Sequence, residues 1–119
     1  MIRIKRVYDQ PEVDDGARFL VDRLWPRGIK KEQLHMDGWL KEVAPSDDLR
    51  HWFGHEPGRW EDFCDRYYDE LEGNRESWNP LLDIARMKNI TLLFSAHDLE
   101  RNNAVALRSF LEKQLESDQ

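Results

Sequence analysis

Residues 90–94 read Ile-Thr-Leu-Leu-Phe, an apolar run opening on two β-branched side chains. A strand with one wet face alternates polar and apolar residues; a run without that alternation belongs to a strand buried on both faces. Such a strand needs cover on each side. Strand signals alternate with helical ones along this chain, so the pattern predicts an α/β fold, a small three-layer sandwich with a mostly parallel sheet. The 119 residues suit one domain, spanning 1–119, large enough to bury a core without disulfides or metal.

The remaining elements follow from periodicity and punctuation. Ile2 and Ile4 alternate with Arg3 and Lys5 and predict a first strand running toward Val7 and Tyr8. Asp9 to Gly16 reads as a loop. Residues 17–24 read as a second strand, stopped by Pro26 and Gly28. Residues 30–34 suit a helical turn, and residues 39–43 suit either a short strand or a helix end. Ser46 is a good N-cap, with Asp47 and Asp48 where the helix dipole favours acid, and Gly54 ends that helix. Trp60, Phe63, Cys64, Tyr67, Tyr68 and Leu71 recur at helical spacing before Gly73. Asn79-Pro80 reads as a cap and first position of a helix reaching Lys88. A last helix is expected over 98–116, with residues 116–119 as a frayed tail.

Charge narrows the partners. The formal net charge of −6 disfavours non-specific binding to nucleic acid or acidic membranes, which needs a positive footprint. Cys64 is the single cysteine, so no internal disulfide forms and cysteine-cluster zinc is excluded. The N-terminus has no signal-peptide core, and no run approaches the roughly 20 apolar residues of a membrane helix. The expected location is the cytoplasm.

Chemistry concentrates at two places. The second strand sets Asp22 and Arg23 after its apolar middle, then Trp25 and Arg27. Along a continuous strand, neighbours point to opposite faces, so Asp22 and Arg23 should flank the sheet near the strand's C-terminal end, where crevices of open α/β sheets form. The second place is Ser95-Ala96-His97-Asp98, directly after the buried strand. If the two strands run parallel, both lie on one edge. Arg23 and Arg27 would then hold an anion with planar donor forks, Trp25 would wall the pocket, Ser95 would approach them from just after the buried strand and Asn102 from the last helix, whose start offers unpaired backbone N–H groups. The bland reading is that the arginines form structural ion pairs, Trp25 is core and Asp98 only caps the last helix.

Asp22, His97 and Asp98 are the candidate acid–base groups. Ser95, His97 and Asp98 stand too close on one loop to relay protons as a triad. His51 and His55 could share a metal only on a continuous helix, and Gly54 interrupts them, so neither metal nor cofactor is expected. The stripe Trp52, Phe53, Trp60, Phe63 and Tyr67 reads as core, part of which could serve as a dimer face.

Residues 21–28, Val-Asp-Arg-Leu-Trp-Pro-Arg-Gly, together with Trp39, Ala44-Pro45-Ser46, the run Leu49 to His55, Phe63, Tyr67, Glu70-Leu71, Thr91-Leu92-Leu93 and the stretch from Asp98 to Ala104, resemble the YeaO-like family of small bacterial proteins of unknown function. The likeness covers nearly the whole chain and implies an α/β fold and a bacterial cytosolic origin, but no activity. Larger relatives look as if they carry a cysteine and a Cys-His-Arg string after the corresponding strand. Here Phe94 and Asn102-Asn103-Ala104 stand near those positions, so the resemblance implies no thiol chemistry. The leading expectation is a pocket for an anionic, phosphate-bearing small molecule at the C-terminal edge of the sheet. The alternatives are a protein-interaction or regulatory module using the aromatic helix face, and a hydrolase or transferase acting on a phosphorylated substrate.

Overall fold

The computed structural model describes residues 1–117. Four strands, β1 (Ile2–Arg6), β2 (Ala17–Leu20), β3 (Gly38–Trp39) and β4 (Ile90–Phe94), form one parallel sheet in the order β1-β4-β2-β3. The run at 90–94 is the inner strand between β1 and β2, and all five of its residues are buried, as its unbroken apolarity predicts.

Four helices, α1 (Asp47–Phe53), α2 (Trp60–Glu72), α3 (Arg75–Met87) and α4 (Asn103–Ser117), all cover one face. Phe19, Val21, Leu92 and Phe94 meet Phe53, Phe63, Trp78, Leu82 and Leu107 there. The other face carries Val7, Leu20, Leu34 and Leu93, packed against Trp25, Ile29, Met36 and Trp39. The third layer is therefore irregular chain between residues 25 and 39, with one 3-10 turn at Lys31–Gln33, instead of helices. A second 3-10 turn, Lys41–Val43, follows β3, so the stretch 39–43 supplies both the strand end and the helical turn that its sequence suggested.

Boundaries differ from the sequence reading at β2 and α3 through contacts from neighbouring elements, and at α4 through a local cap. β2 stops at Leu20 rather than residue 24. Val21 N–H still donates to Leu93 O at 3.0 Å, but its carbonyl accepts from the Asn103 side chain at 3.0 Å, which ends the ladder. Helix α3 starts at Arg75, leaving Pro80 inside it. Trp78 is buried, and its indole N–H donates to Leu71 O at 2.7 Å, which draws the preceding turn into the helix. Helix α4 starts at Asn103 rather than residue 98, because the buried Asn102 is the cap: its Oδ1 accepts from Val105 N–H at 2.9 Å. At the other end of α4, residues 116 and 117 are helical rather than frayed, and 118–119 lie outside the described residues. Among the described residues no helix is long and apolar enough to cross a membrane.

The aromatic stripe is largely interior. Phe53 stacks on Phe63 at 4.5 Å, and Phe63 and Tyr67 are buried. Trp52 stays half-exposed, with the Arg66 guanidinium over its ring at 4.1 Å. Cys64 is half-buried, and burial pushes its thiol up to about 11, so it is a poor nucleophile.

Candidate functional site

Parallel pairing puts the C-terminal ends of β1, β4 and β2 on one edge. There the chain leaving β2 passes to the face covered by residues 25–39, while the chain leaving β4 passes into α4 on the opposite face. Neighbouring strands whose continuations part in this way leave a crevice at the switch point. A cleft of about 1290 Å³ lies at this edge and is lined from both strand ends, the loop before α1 and the end of α1. That exceeds the ~300–1,000 Å³ of ordinary small-molecule pockets, so there is room for a nucleotide-sized ligand.

Asp22 ties the edge together. Its Oδ2 accepts from Ser95 N–H at 3.0 Å and Ser95 Oγ at 2.7 Å, and its Oδ1 accepts from Asn103 Nδ2 at 3.0 Å. Burial raises the Asp22 carboxyl above its ordinary value, against the opposing effect of those hydrogen bonds and of the Arg50 charge. With β2 ended at Leu20, alternation does not govern the next side chains: Asp22 turns to the end of β4, and Arg23 reaches the loop before α1. Arg23 Nε donates to Pro45 O and its terminal nitrogen to Ala44 O, both at 3.0 Å.

The other expected site residues fall as follows. Trp25 lines the cleft but also belongs to the second core, donating to Ile29 O at 2.7 Å and packing edge-on to Trp39 at 5.3 Å. Arg27 is exposed at the cleft, with no ion pair among the described residues, and its carbonyl accepts from Tyr8 OH at 2.7 Å. Ser95 is engaged by Asp22. Asn102 is committed to the cap and to Asp98 O, so neither end of its amide is free.

Asp98 does not cap α4. It closes its own turn, accepting from Glu100 and Arg101 N–H at 2.9 and 3.1 Å, and those bonds hold its carboxyl below the usual range. His97 is exposed and lines the cleft, and it makes no hydrogen bond to Ser95 or Asp98. The edge thus offers a carboxylate beside a serine hydroxyl, but no relayed nucleophile–base–orienter set.

Sequence reasoning missed four residues of this edge: Asn103, which bonds Asp22, Arg101, which pairs with Asp98 at 3.0 Å, and two further arginines. Arg6, ending β1, donates to Ala96 O at 3.0 Å and Ser95 O at 2.9 Å and so fixes the loop after β4. Arg50, on α1, lines the cleft; its terminal nitrogen lies 3.2 Å from Asp47 Oδ1, and its Nε is buried without a hydrogen-bond partner among the described residues. The available signal was its place on α1, beside the face that buries Leu49 and Phe53. Altogether the cleft carries five guanidinium groups, from Arg6, Arg23, Arg27, Arg50 and Arg101, against the carboxylates of Asp22 and Asp98.

His51 and His55 also line the cleft, but His55 follows Gly54 with a positive φ of 57°, off the helix. Among the described residues no group of three His, Cys, Asp or Glu side chains could hold a metal ion.

Comparison with known proteins places this geometry in a family. A family profile described as "Inactive DUF488-N3 subclade" matches residues 1–119. The chain is 46% identical over 110 residues to "Uncharacterized protein YeaO" of Escherichia coli (strain K12), covering 92% of this chain and 96% of that protein. It is 36% identical over 110 residues to "Uncharacterized protein Rv3073c" of Mycobacterium tuberculosis (strain ATCC 25618 / H37Rv), covering 92% of each. No solved structure matches. The chain therefore belongs to the inactive DUF488-N3 subclade, among the YeaO-like bacterial proteins.

Proposed function

We propose that this protein binds an anionic, phosphate-bearing small molecule in the cleft at the C-terminal edge of its sheet, in the bacterial cytoplasm, without turning it over. The observation that carries the reading is the arginine excess of the cleft: five arginines line it against two aspartates, with Asp47 beside Arg23 and Arg50 from just outside, in a chain whose net charge is −6. A positive cleft in an acidic protein focuses its field on anions while the rest of the surface repels nucleic acid and acidic membranes.

Binding is favoured over catalysis because the residues that chemistry would need are otherwise engaged. Ser95 and Asp22 satisfy each other, Asp98 is held by its turn, and the end of β4 presents the buried Phe94. The family's description as inactive supports the same preference.

The test uses Arg50 rather than Arg23, whose loss would strip donors from the Ala44 and Pro45 carbonyls and disturb the fold. Calorimetry with inorganic phosphate, mononucleotides and sugar phosphates is expected to find a binder whose affinity falls with salt. Arg50→Gln removes a charged donor worth about 1.5–3 kcal/mol, so affinity is expected to drop at least tenfold at unchanged melting temperature. Absence of binding across the panel, or binding indifferent to Arg50→Gln, overturns the reading.

A further inference from the structure

Arg23 leaves the end of β2 and Arg50 projects from α1, yet both charges lie near one carboxylate oxygen, Arg23 with its Nε–H already donated to Pro45 O. Asp47 Oδ1 lies 3.2 Å from an Arg50 terminal nitrogen and 4.0 Å from Arg23 Nε. The two arginines line the cleft; Asp47 does not, and its side chain is 63% exposed. Arg50 is also under-satisfied. A guanidinium carries five N–H donors, and of those in Arg50 one bond to Asp47 is formed, while the Nε is buried without a partner among the described residues. Burying that donor unpaired costs free energy in the unliganded protein, and the terminal nitrogens keep donors for an incoming acceptor.

We infer that Arg23 and Arg50 form the seat for a terminal phosphate monoester, and that Asp47 is the internal anion that holds Arg50 and lies beside Arg23 until the ligand displaces it. This rests on the reading of the cleft as an anion site and narrows it to one ester class. A monoester phosphate brings close to two negative charges and three terminal oxygens, enough to give each guanidinium an oxygen of its own. A diester offers one charge and two oxygens. Pro45 and Phe53, lining the cleft beside the pair, supply an apolar wall for the organic part of the ester.

The experiment compares wild type, Asp47→Asn and Asp48→Asn by calorimetry, with phenyl phosphate and methyl phenyl phosphate as probes. Asp47 and Asp48 are both exposed and both sit in the first turn of α1, so the two substitutions forfeit similar helix-dipole stabilisation. Ser46 keeps the cap, its Oγ accepting from Leu49 N–H at 3.1 Å, so both variants are expected to fold. Removing Asp47 releases Arg50 and takes a negative charge from beside Arg23, which stays on the Ala44 and Pro45 carbonyls, and phenyl phosphate is expected to bind about fivefold tighter; Asp48→Asn should stay within about twofold of wild type. The diester is expected to bind at least tenfold more weakly than the monoester to all three proteins, on the loss of a charge-assisted contact. If wild type binds phenyl phosphate but Asp47→Asn gains no more than Asp48→Asn, the displaced-anion inference falls and the anion site stands. Equal affinity for the two esters overturns the ester class. If none of the three proteins binds either ester, the seat falls; binding of other anions in the wider panel then decides whether the cleft reading survives it.

Discussion

Asp15→Asn is expected to lower the stability of this protein by about 3 kcal/mol at pH 7, although Asp15 lies far from the cleft. Its side chain is 1% exposed, and its carboxylate faces Lys5 Nζ at 2.9 Å, the Arg18 guanidinium, and Glu12 N–H at 3.0 Å. Arg18 is itself nearly buried, with Nε donating to His35 O at 2.6 Å. The amide keeps the volume but turns a neutral group toward the buried Arg18 and the part-buried Lys5, and removing one partner of such a cluster costs far more than forming it gained. Urea denaturation measures the difference.

The pH dependence of that difference has a fixed sign. Burial pulls the Asp15 carboxyl up, but hydrogen bonds from Lys5, Glu12 and Arg18 outweigh it and hold the group below its ordinary value. A carboxyl depressed in the folded state contributes stability above its unfolded pKa and loses it as pH falls through the folded one. The gap between wild type and Asp15→Asn is therefore expected to be full at neutral pH and to close below about pH 4. A gap that widens on acidification, or is below about 1 kcal/mol at pH 7, would show that the cluster contributes little to the stability of the fold.

The same cluster shows where sequence stops being informative. Asp9 to Gly16 reads as a loop, and it is one apart from a single 3-10 turn, but nothing local marks Asp15 as its buried residue. Burial there depends on β1 and β2 flanking β4, so that Lys5 and Arg18 project from the same face, beside Thr91, whose hydroxyl donates to Asp15 O at 2.8 Å. Elements were legible where the determinant was local. β4 declared itself because burial on both faces leaves no charged position in its five residues, and α1 because Ser46 and Gly54 bracket it.

Boundaries set from a distance were not legible. Asn103 ends β2 from 82 residues away, and Trp78 extends α3 backward past the start that Asn79-Pro80 marks in the sequence. The site followed the same division. Parallel pairing of the charged strand end with the loop after β4 could be anticipated from the fold class, and the structure joins them through Asp22, Ser95 and Asn103. That Arg50 rather than another surface arginine faces the cleft depends on how α1 docks, which one sequence does not encode locally.

Asp22 gives the sharpest separation between a binding site and an active one. Three donors converge on its carboxylate, from Ser95 N–H, Ser95 Oγ and Asn103 Nδ2. In Asp22→Asn the amide oxygen can satisfy Ser95, which turns the new NH₂ toward the Asn103 NH₂. Rotating the Asn103 amide only sets its oxygen against Val21 O, with which it now bonds at 3.0 Å. Every arrangement leaves a partly buried group unsatisfied, so a loss of about 2 kcal/mol is expected at pH 7.

Acid and base shift that loss in a known direction. The folded carboxyl is raised, so the folded state takes up a proton more readily than the unfolded one, and wild type loses stability as pH rises from the ordinary aspartate value through the raised one. The amide does not titrate, so the deficit of the variant is expected to be larger on the acid side of that window and smaller above it. Anion affinity should move the other way from stability: removing a negative charge from a cleft that holds five arginines is expected to tighten phosphate binding by about twofold to fivefold in the folded protein. Calorimetry on the folded variant tests this. Binding lost together with Asp22 would mean that the carboxylate itself engages the ligand, the role that an acid–base reading gives it.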